Sequence, residues 1–174
     1  MSIVEKARSY IGAYSATDVR SLLHEDHERI KALTEQLTDD ESSQKHVRAF
    51  ERLKPFLTAH ARAEEQAVYA RLVSLRGSPD SRAEGYEGFV EHSLVDVLLE
   101  RLSKTELAST DAWKAHAKVL KEMLDHHIKE EEREIFEELG EHFTDEEREA
   151  IGTDFVRRKD KLLPATRSRV KRAA

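Results

Sequence analysis

With 174 residues, 37% of them charged and 39% hydrophobic, the chain is long enough to bury one core and too apolar to be disordered throughout. Cysteine is absent, which excludes disulfides, iron-sulfur clusters, thiolate zinc sites and cysteine nucleophiles, so any metal must rest on nitrogen and oxygen. The net charge of -6 is uneven: residues 157–174 carry eight Lys/Arg against Asp160 alone, leaving 21 basic and 34 acidic residues elsewhere. So acidic a body disfavours nucleic acid phosphates.

In chain order, residues 3–14 form an amphipathic pattern through Ile3, Ala7, Tyr10 and Ile11, preceded by no apolar signal-peptide core. Four long helical stretches follow. Val19, Leu23, Ile30 and Leu37 mark the first, and Phe50, Leu53, Leu57 and Val68 the second, with Pro55 as its kink or its effective start. Phe89, Val95, Leu99 and Leu102 line the third; Trp113, Leu120, Leu124 and Ile135 line the fourth.

Turn chemistry separates the stretches at Asp39-Asp-Glu-Ser-Ser43, Gly77-Ser-Pro79 and Ser109-Thr-Asp111. Short connections of this kind favour antiparallel neighbours. Thr144-Asp-Glu-Glu147 reads as a capping box that opens a further helix to about Leu163. The expected fold is all-α, an up-down antiparallel four-helix bundle. One domain spans 1–163, with its core at 18–139 and flanking helices 3–14 and 144–163 on the outside, and 164–174 forms a basic tail. No run reaches the length of a membrane span, so the expected location is cytoplasmic.

Two phrases nearly repeat: His60-Ala-Arg-Ala-Glu64-Glu-Gln-Ala-Val-Tyr69 and His127-Ile-Lys-Glu-Glu131-Glu-Arg-Glu-Ile-Phe136. On a helix each sets an imidazole and a carboxylate one turn apart on one face, the spacing of a metal-binding pair. Spacing alone does not discriminate, because five of the nine histidines, His24, His60, His126, His127 and His142, have Glu four residues later.

Position on the apolar stripe does discriminate, since an unpaired charge cannot sit there cheaply. His60 and Glu64 fall within about 40° of the stripe of Leu53, Phe56, Leu57 and Ala67 on a helical wheel. His127 and Glu131 share the face of Trp113, Leu120 and Leu124, whereas His126 and Glu130 are rotated by about 100°. His92 lies among Phe89, Val95 and Leu99, with Asp96 a weaker candidate one turn on. In the first stretch the stripe centres near Asp26, so His27 is the marginal ligand, Asp26 its orienting support, and His24 faces water. His116 fits a core or supporting role, and His46 and His142 are unassigned. Singly, His92 reads as a core histidine and Glu130-Glu131-Glu132 as a solvated face; four inward histidines with two inward carboxylates read as metal.

Asp26-His27, His60-Ala-Arg-Ala-Glu64, Glu91-His92 and His127-Ile-Lys-Glu-Glu131 resemble, in order, the ligand motifs of the hemerythrin-like (HHE cation-binding) family, over about residues 18–139. The resemblance implies two non-haem irons bridged by an oxo or hydroxo group, with His27 and His60 on one and His92 and His127 on the other. Glu64 and Glu131 bridge the two. Manganese and zinc are the secondary choices. Respiratory members place two histidines four apart on the third helix, but Gly88 and Asp96 occupy the positions flanking His92 at that distance.

The leading expectation is therefore a di-iron protein that binds dioxygen or a related small diatomic for sensing, delivery or stress protection. The alternatives are a di-iron enzyme acting on peroxide or nitric oxide, and a metal-free helical interaction module using the basic tail. Neither nucleic acid nor membrane is an expected partner, and the redox partner is open.

Overall fold

The computed structural model describes residues 15–39, 42–105 and 110–163. The predicted helix at 3–14 and the basic tail at 164–174 lie outside the described residues. Within them, helix α1 is Val19–Thr38, α2 is Ser43–Glu64, α3 is Pro79–Lys104 and α4 is Asp111–Glu131. Two shorter helices follow, α5 at Glu134–His142 and α6 at Asp145–Leu162.

The ends are set where side chains can satisfy orphaned amides. Asp18 caps α1 by accepting from Arg20 N, and the Thr110 hydroxyl caps α4 by accepting from Trp113 N at 3.1 Å. Pro79 occupies the first turn of α3, where its missing N–H costs nothing. Thr144 and Glu147 form the reciprocal capping box that opens α6. Pro55 is neither a start nor an end: α2 runs through it for 22 residues.

Polar contacts fix the directions of the four long helices. Asp39 meets His46 and Asp26 meets His60, so α1 and α2 run antiparallel. Lys54 meets Ser103 and Glu65 meets His92 for α2 and α3, and Ser81 meets Glu138 and Glu91 meets His127 for α3 and the α4–α5 arm. Glu35–Lys121 and His27–Glu131 close the ring between α1 and α4. The chain is thus an all-α bundle, as expected.

The core divides around the centre of this ring. One cluster, including Ile30, Leu53, Leu99, Trp113 and Leu120, fills the end near the α1–α2 turn; a second, including Leu23, Val68, Leu72, Leu139 and Phe155, fills the other. Each fully buried side chain of this size contributes about 1.5–3 kcal/mol. The polar site described below lies between the two, walled by apolar groups on both sides.

Two features depart from the sequence expectation. The fourth stretch is interrupted at Glu132–Arg133, which separates α4 from α5. More consequentially, α6 is no outside decoration: Ile151 is 3% and Phe155 0% exposed, and the helix packs on α1 and α2. Gly152 permits this, because a Cβ there would lie 2.3 Å from the Thr17 carbonyl oxygen. Arg148, 7% exposed, ties α6 to the cap of α1 by donating from Nε to Asp18 Oδ2 at 3.0 Å. Gly152→Ala is therefore expected to destabilise the fold by about 1–3 kcal/mol, read as a lowered denaturant midpoint at unchanged slope. Unchanged stability would refute the close approach.

Candidate metal centre

Four helices deliver six donors to one point. His27 comes from α1, His60 and Glu64 from α2, His92 from α3, and His127 and Glu131 from α4, all at most 4% exposed. His27 Nε2 lies 3.2 Å from Glu131 Oε2, and His60 Nε2 lies 3.4 Å from Glu64 Oε2. His92 Nε2 is 3.6 Å from Glu64 Oε2 and 3.2 Å from His127 Nε2. The donors fall into two groups able to hold an ion, His27–His60–Glu64 and Glu64–His92–His127, each with its ligand atoms within 4.8 Å of one another. Glu64 belongs to both.

Behind each histidine stands a carboxylate from the helix before it in the ring. Asp26 of α1 faces His60 Nδ1 at 3.0 Å, and Glu65, just past α2, faces His92 Nδ1 at 3.2 Å. Glu91 of α3 faces His127 Nδ1 at 2.6 Å, and Glu132, just past α4, faces His27 Nδ1 at 2.9 Å. In each case the Nδ1–H donates to the carboxylate, which leaves the Nε2 lone pair pointing at the centre. Lys159 of α6 in turn donates to both oxygens of Asp26, at 2.7 and 2.6 Å.

Both repeated phrases break regular helix immediately after their glutamate. Residues Glu65–Tyr69 form a π-helical turn, and Glu132–Arg133 form the break before α5. The wider turn swings Tyr69 over the site, a recurring use of such bulges. Its hydroxyl, fully buried, donates to Glu131 Oε1 at 2.8 Å. Gly88 of α3 makes room for the ring, since a Cβ there would lie 2.5 Å from two of its carbons.

Close packing of buried acids and imidazoles shifts these groups in opposing directions. Burial raises the Glu64 pKa well above the carboxylate range, and the neighbouring Glu131 adds to it. For Glu131 burial acts the same way but is outweighed by His27 and His127, which hold it well below that range. Burial also opposes the charge on His27, yet Glu131 and Glu132 hold its pKa at about 9. Burial leaves His92 lowered, while for His127 the carboxylates Glu91 and Glu131 outweigh burial and raise it.

The fit to a metal rests on orphaned atoms. His27 Nε2, both oxygens of Glu64 and Glu131 Oε2 are buried without any hydrogen-bond partner. A native interior rarely tolerates such a group without a ligand for it. Nitrogen and oxygen donors without sulfur suit iron or manganese, with zinc next.

The six residues selected from the sequence all converge here. Asp96 does not: it is half exposed and pairs with Arg62 on the outside. His24 faces inward more than the wheel implied, with Nδ1 2.9 Å from Glu132 Oε1, the oxygen that also serves His27. His46 stacks on Trp113 with ring centroids 5.7 Å apart, a core position, and His142 pairs with Glu138 on α5. His116 is half-buried on α4, far along the helix from the centre. Sequence reasoning missed Glu65, Glu91, Glu132, Tyr69 and Lys159. For the three glutamates a signal existed: each is the acidic neighbour of a ligand, as Asp26 is.

The hemerythrin HHE cation binding domain model matches residues 18–139. A DNA nickase of Nostoc sp. (strain PCC 7120 / SAG 25.82 / UTEX 2576) is 28% identical over 145 residues, covering 83% of this chain and 40% of the relative. The chain thus spans about two-fifths of that curated relative's length. No solved structure matches. Among the described residues no helix is long and apolar enough to cross a membrane.

Proposed function

The chain belongs to the hemerythrin HHE cation-binding domain family, and from that premise we propose that it is a non-haem di-iron protein whose ligand is dioxygen or a related small diatomic. The observation that carries this reading is the set of unpartnered inward atoms on His27, Glu64 and Glu131, set among histidines whose other nitrogens are already engaged. His27, His60 and Glu64 would hold one iron, and Glu64, His92 and His127 the other, with Glu131 the further carboxylate available to them. The iron pair, when bound, supplies the electrons for reversible ligand binding.

The chain's own contribution is positional. The ring of carboxylates fixes each imidazole tautomer, and the apolar clusters above and below exclude water. Two ions held by only six donors would keep room for a small ligand. Tyr69 donates its hydroxyl hydrogen to Glu131 Oε1, beside the donor set. Burial and the neighbouring carboxylates keep that hydroxyl protonated, and a hydrogen-bond donor beside the centre favours, as the second reading, turnover of peroxide or nitric oxide there. The relative named as a DNA nickase does not redirect the reading, because its matched part is a minority of its length and this chain's net charge of -6 repels phosphates.

The test is optical. The iron-loaded protein, reduced without oxygen and then exposed to it, is expected to develop a visible charge-transfer band that disappears on degassing. Steady oxygen release from added peroxide, lost in His127→Ala, would move the assignment to the enzyme. Purified protein that takes up no iron would refute both.

A further inference from the structure

A pocket opens between α3 and the α4–α5 arm, with Glu84, Glu87, Glu91 and Glu130 on its walls together with His127 and Glu131 of the metal centre. Its outer lining is acidic and partly exposed; Glu131 is 3% exposed, and its Oε2 lacks any hydrogen-bond partner. At this mouth stands a third donor group, Glu91, His126 and Glu130, with ligand atoms again within 4.8 Å of one another. His126 Nε2 is 3.1 Å from Glu130 Oε2, and the His126 side chain is 64% exposed.

We propose that Glu91, His126 and Glu130 form an outer site for a divalent cation, from which the ion passes inward through this pocket to the buried donors. The outer site has what a loading station needs. Its three donors are nitrogen and oxygen, as at the centre, but they are solvent-accessible, so an ion binds them without first losing all its water. Glu84 and Glu87 add negative charge beside the entrance, which concentrates cations and repels anions.

Glu91 joins the two sites physically. Its carboxylate contributes to the outer group while Oε2 accepts from Nδ1 of His127, a buried donor. An ion at the mouth is thus one carboxylate away from the imidazole that would receive it. Exposure explains why the outer group holds an ion only loosely: Glu91 and Glu130 are part-exposed and His126 largely so, and water competes for each bond. The inner set, dry and held by hydrogen bonds, is the tighter one.

This inference rests on the proposed buried metal pair, and the experiment separates the two. Metal-stripped full chain is titrated with Mn2+ and the free ion is followed by electron paramagnetic resonance, with the uptake rate measured by rapid mixing. The variants are His126→Ala/Glu130→Gln, which spares Glu91 and its contact with His127, and His60→Ala. Wild type is expected to bind one ion more weakly than the buried ones. The double variant is expected to lose that ion and fill the buried site about tenfold more slowly, at unchanged final occupancy, with less dependence on ionic strength. His60→Ala is expected to weaken buried binding while keeping the outer ion. Equal stoichiometry and equal uptake rate in wild type and double variant would overturn the proposal. Loss of the weak ion with no change in rate would overturn the passage inward. If wild type showed the weak ion and no tight binding, the buried reading would fail, and the loading role with it.

Discussion

Glu64→Ala is expected to abolish tight binding of both ions, whereas His92→Ala weakens one before the other. The reason is the unequal sharing of donors: His92 belongs to a single ion-holding group, and Glu64 belongs to both. Its carboxylate is also the group for which the fold provides no alternative partner, since both oxygens are buried without a hydrogen bond. Loss of one orienting carboxylate around a metal costs ~10–100-fold in affinity. Removal of a shared ligand is expected to exceed the top of that range for both ions. Metal content after dialysis against a competing chelator measures it. The shared role is refuted if Glu64→Ala retains either ion at wild-type affinity. Asp26→Asn gives the graded counterpart, because it leaves every donor in place and disturbs the tautomer of His60 together with the Lys159 ion pair behind it.

The bundle and its six inward donors were legible because helical periodicity reports one thing well, the side of a helix that is apolar. His60, Glu64, His92, His127 and Glu131 each sit on such a side and each is buried. What a single-helix wheel cannot report is which other helix covers the remaining faces. His27 looked marginal because the α1 stripe centres on Asp26, yet it is 0% exposed. The cause is the neighbouring helices: Glu131 and Glu132 meet His27 at the end of α4 and the His60 ring of α2 packs edge-on at 5.3 Å, while α6 covers the Asp26 side with Lys159. His24 likewise turns inward because Glu132, just past α4, reaches it.

The ring of supporting carboxylates was hidden differently. Glu65, Glu91 and Glu132 each stand next to a ligand in the sequence, but each serves a histidine on another helix, so the local pattern marks the carboxylate without exposing its partner. The π-helical turn at Glu65–Tyr69 carries no compositional mark either. It can be recognised only afterwards, from the parallel break at Glu132–Arg133 in the second phrase.

Stripping the metal is expected to lower the melting temperature by about 10 °C, because ions bound only to the folded state stabilise it by ~4 kcal/mol at a thousandfold excess over Kd. What remains after stripping is a centre whose charges are badly matched. Burial and the nearby Glu131 hold the Glu64 pKa above its unfolded value of 4.5, so the unfolded chain releases that proton first. From pH 4.5 upward this subtracts from stability. His27 acts in the same direction: its contribution is complete below its unfolded 6.5 and is lost as the pH rises through about 9. Glu131, held low, has already given its full contribution above 4.5 and adds no slope there. The stripped protein is therefore expected to lose stability steadily between about pH 5 and 9. Glu64→Gln removes the first of these costs, so at pH 7 the stripped variant should be more stable than stripped wild type, although added metal no longer raises its melting temperature. The two should converge near pH 4, where Glu64 is protonated in both states. Chemical denaturation of both stripped proteins across this range decides the matter, and a Glu64→Gln protein less stable than wild type at pH 7 would show that the buried carboxylate is not held there against its own electrostatic cost.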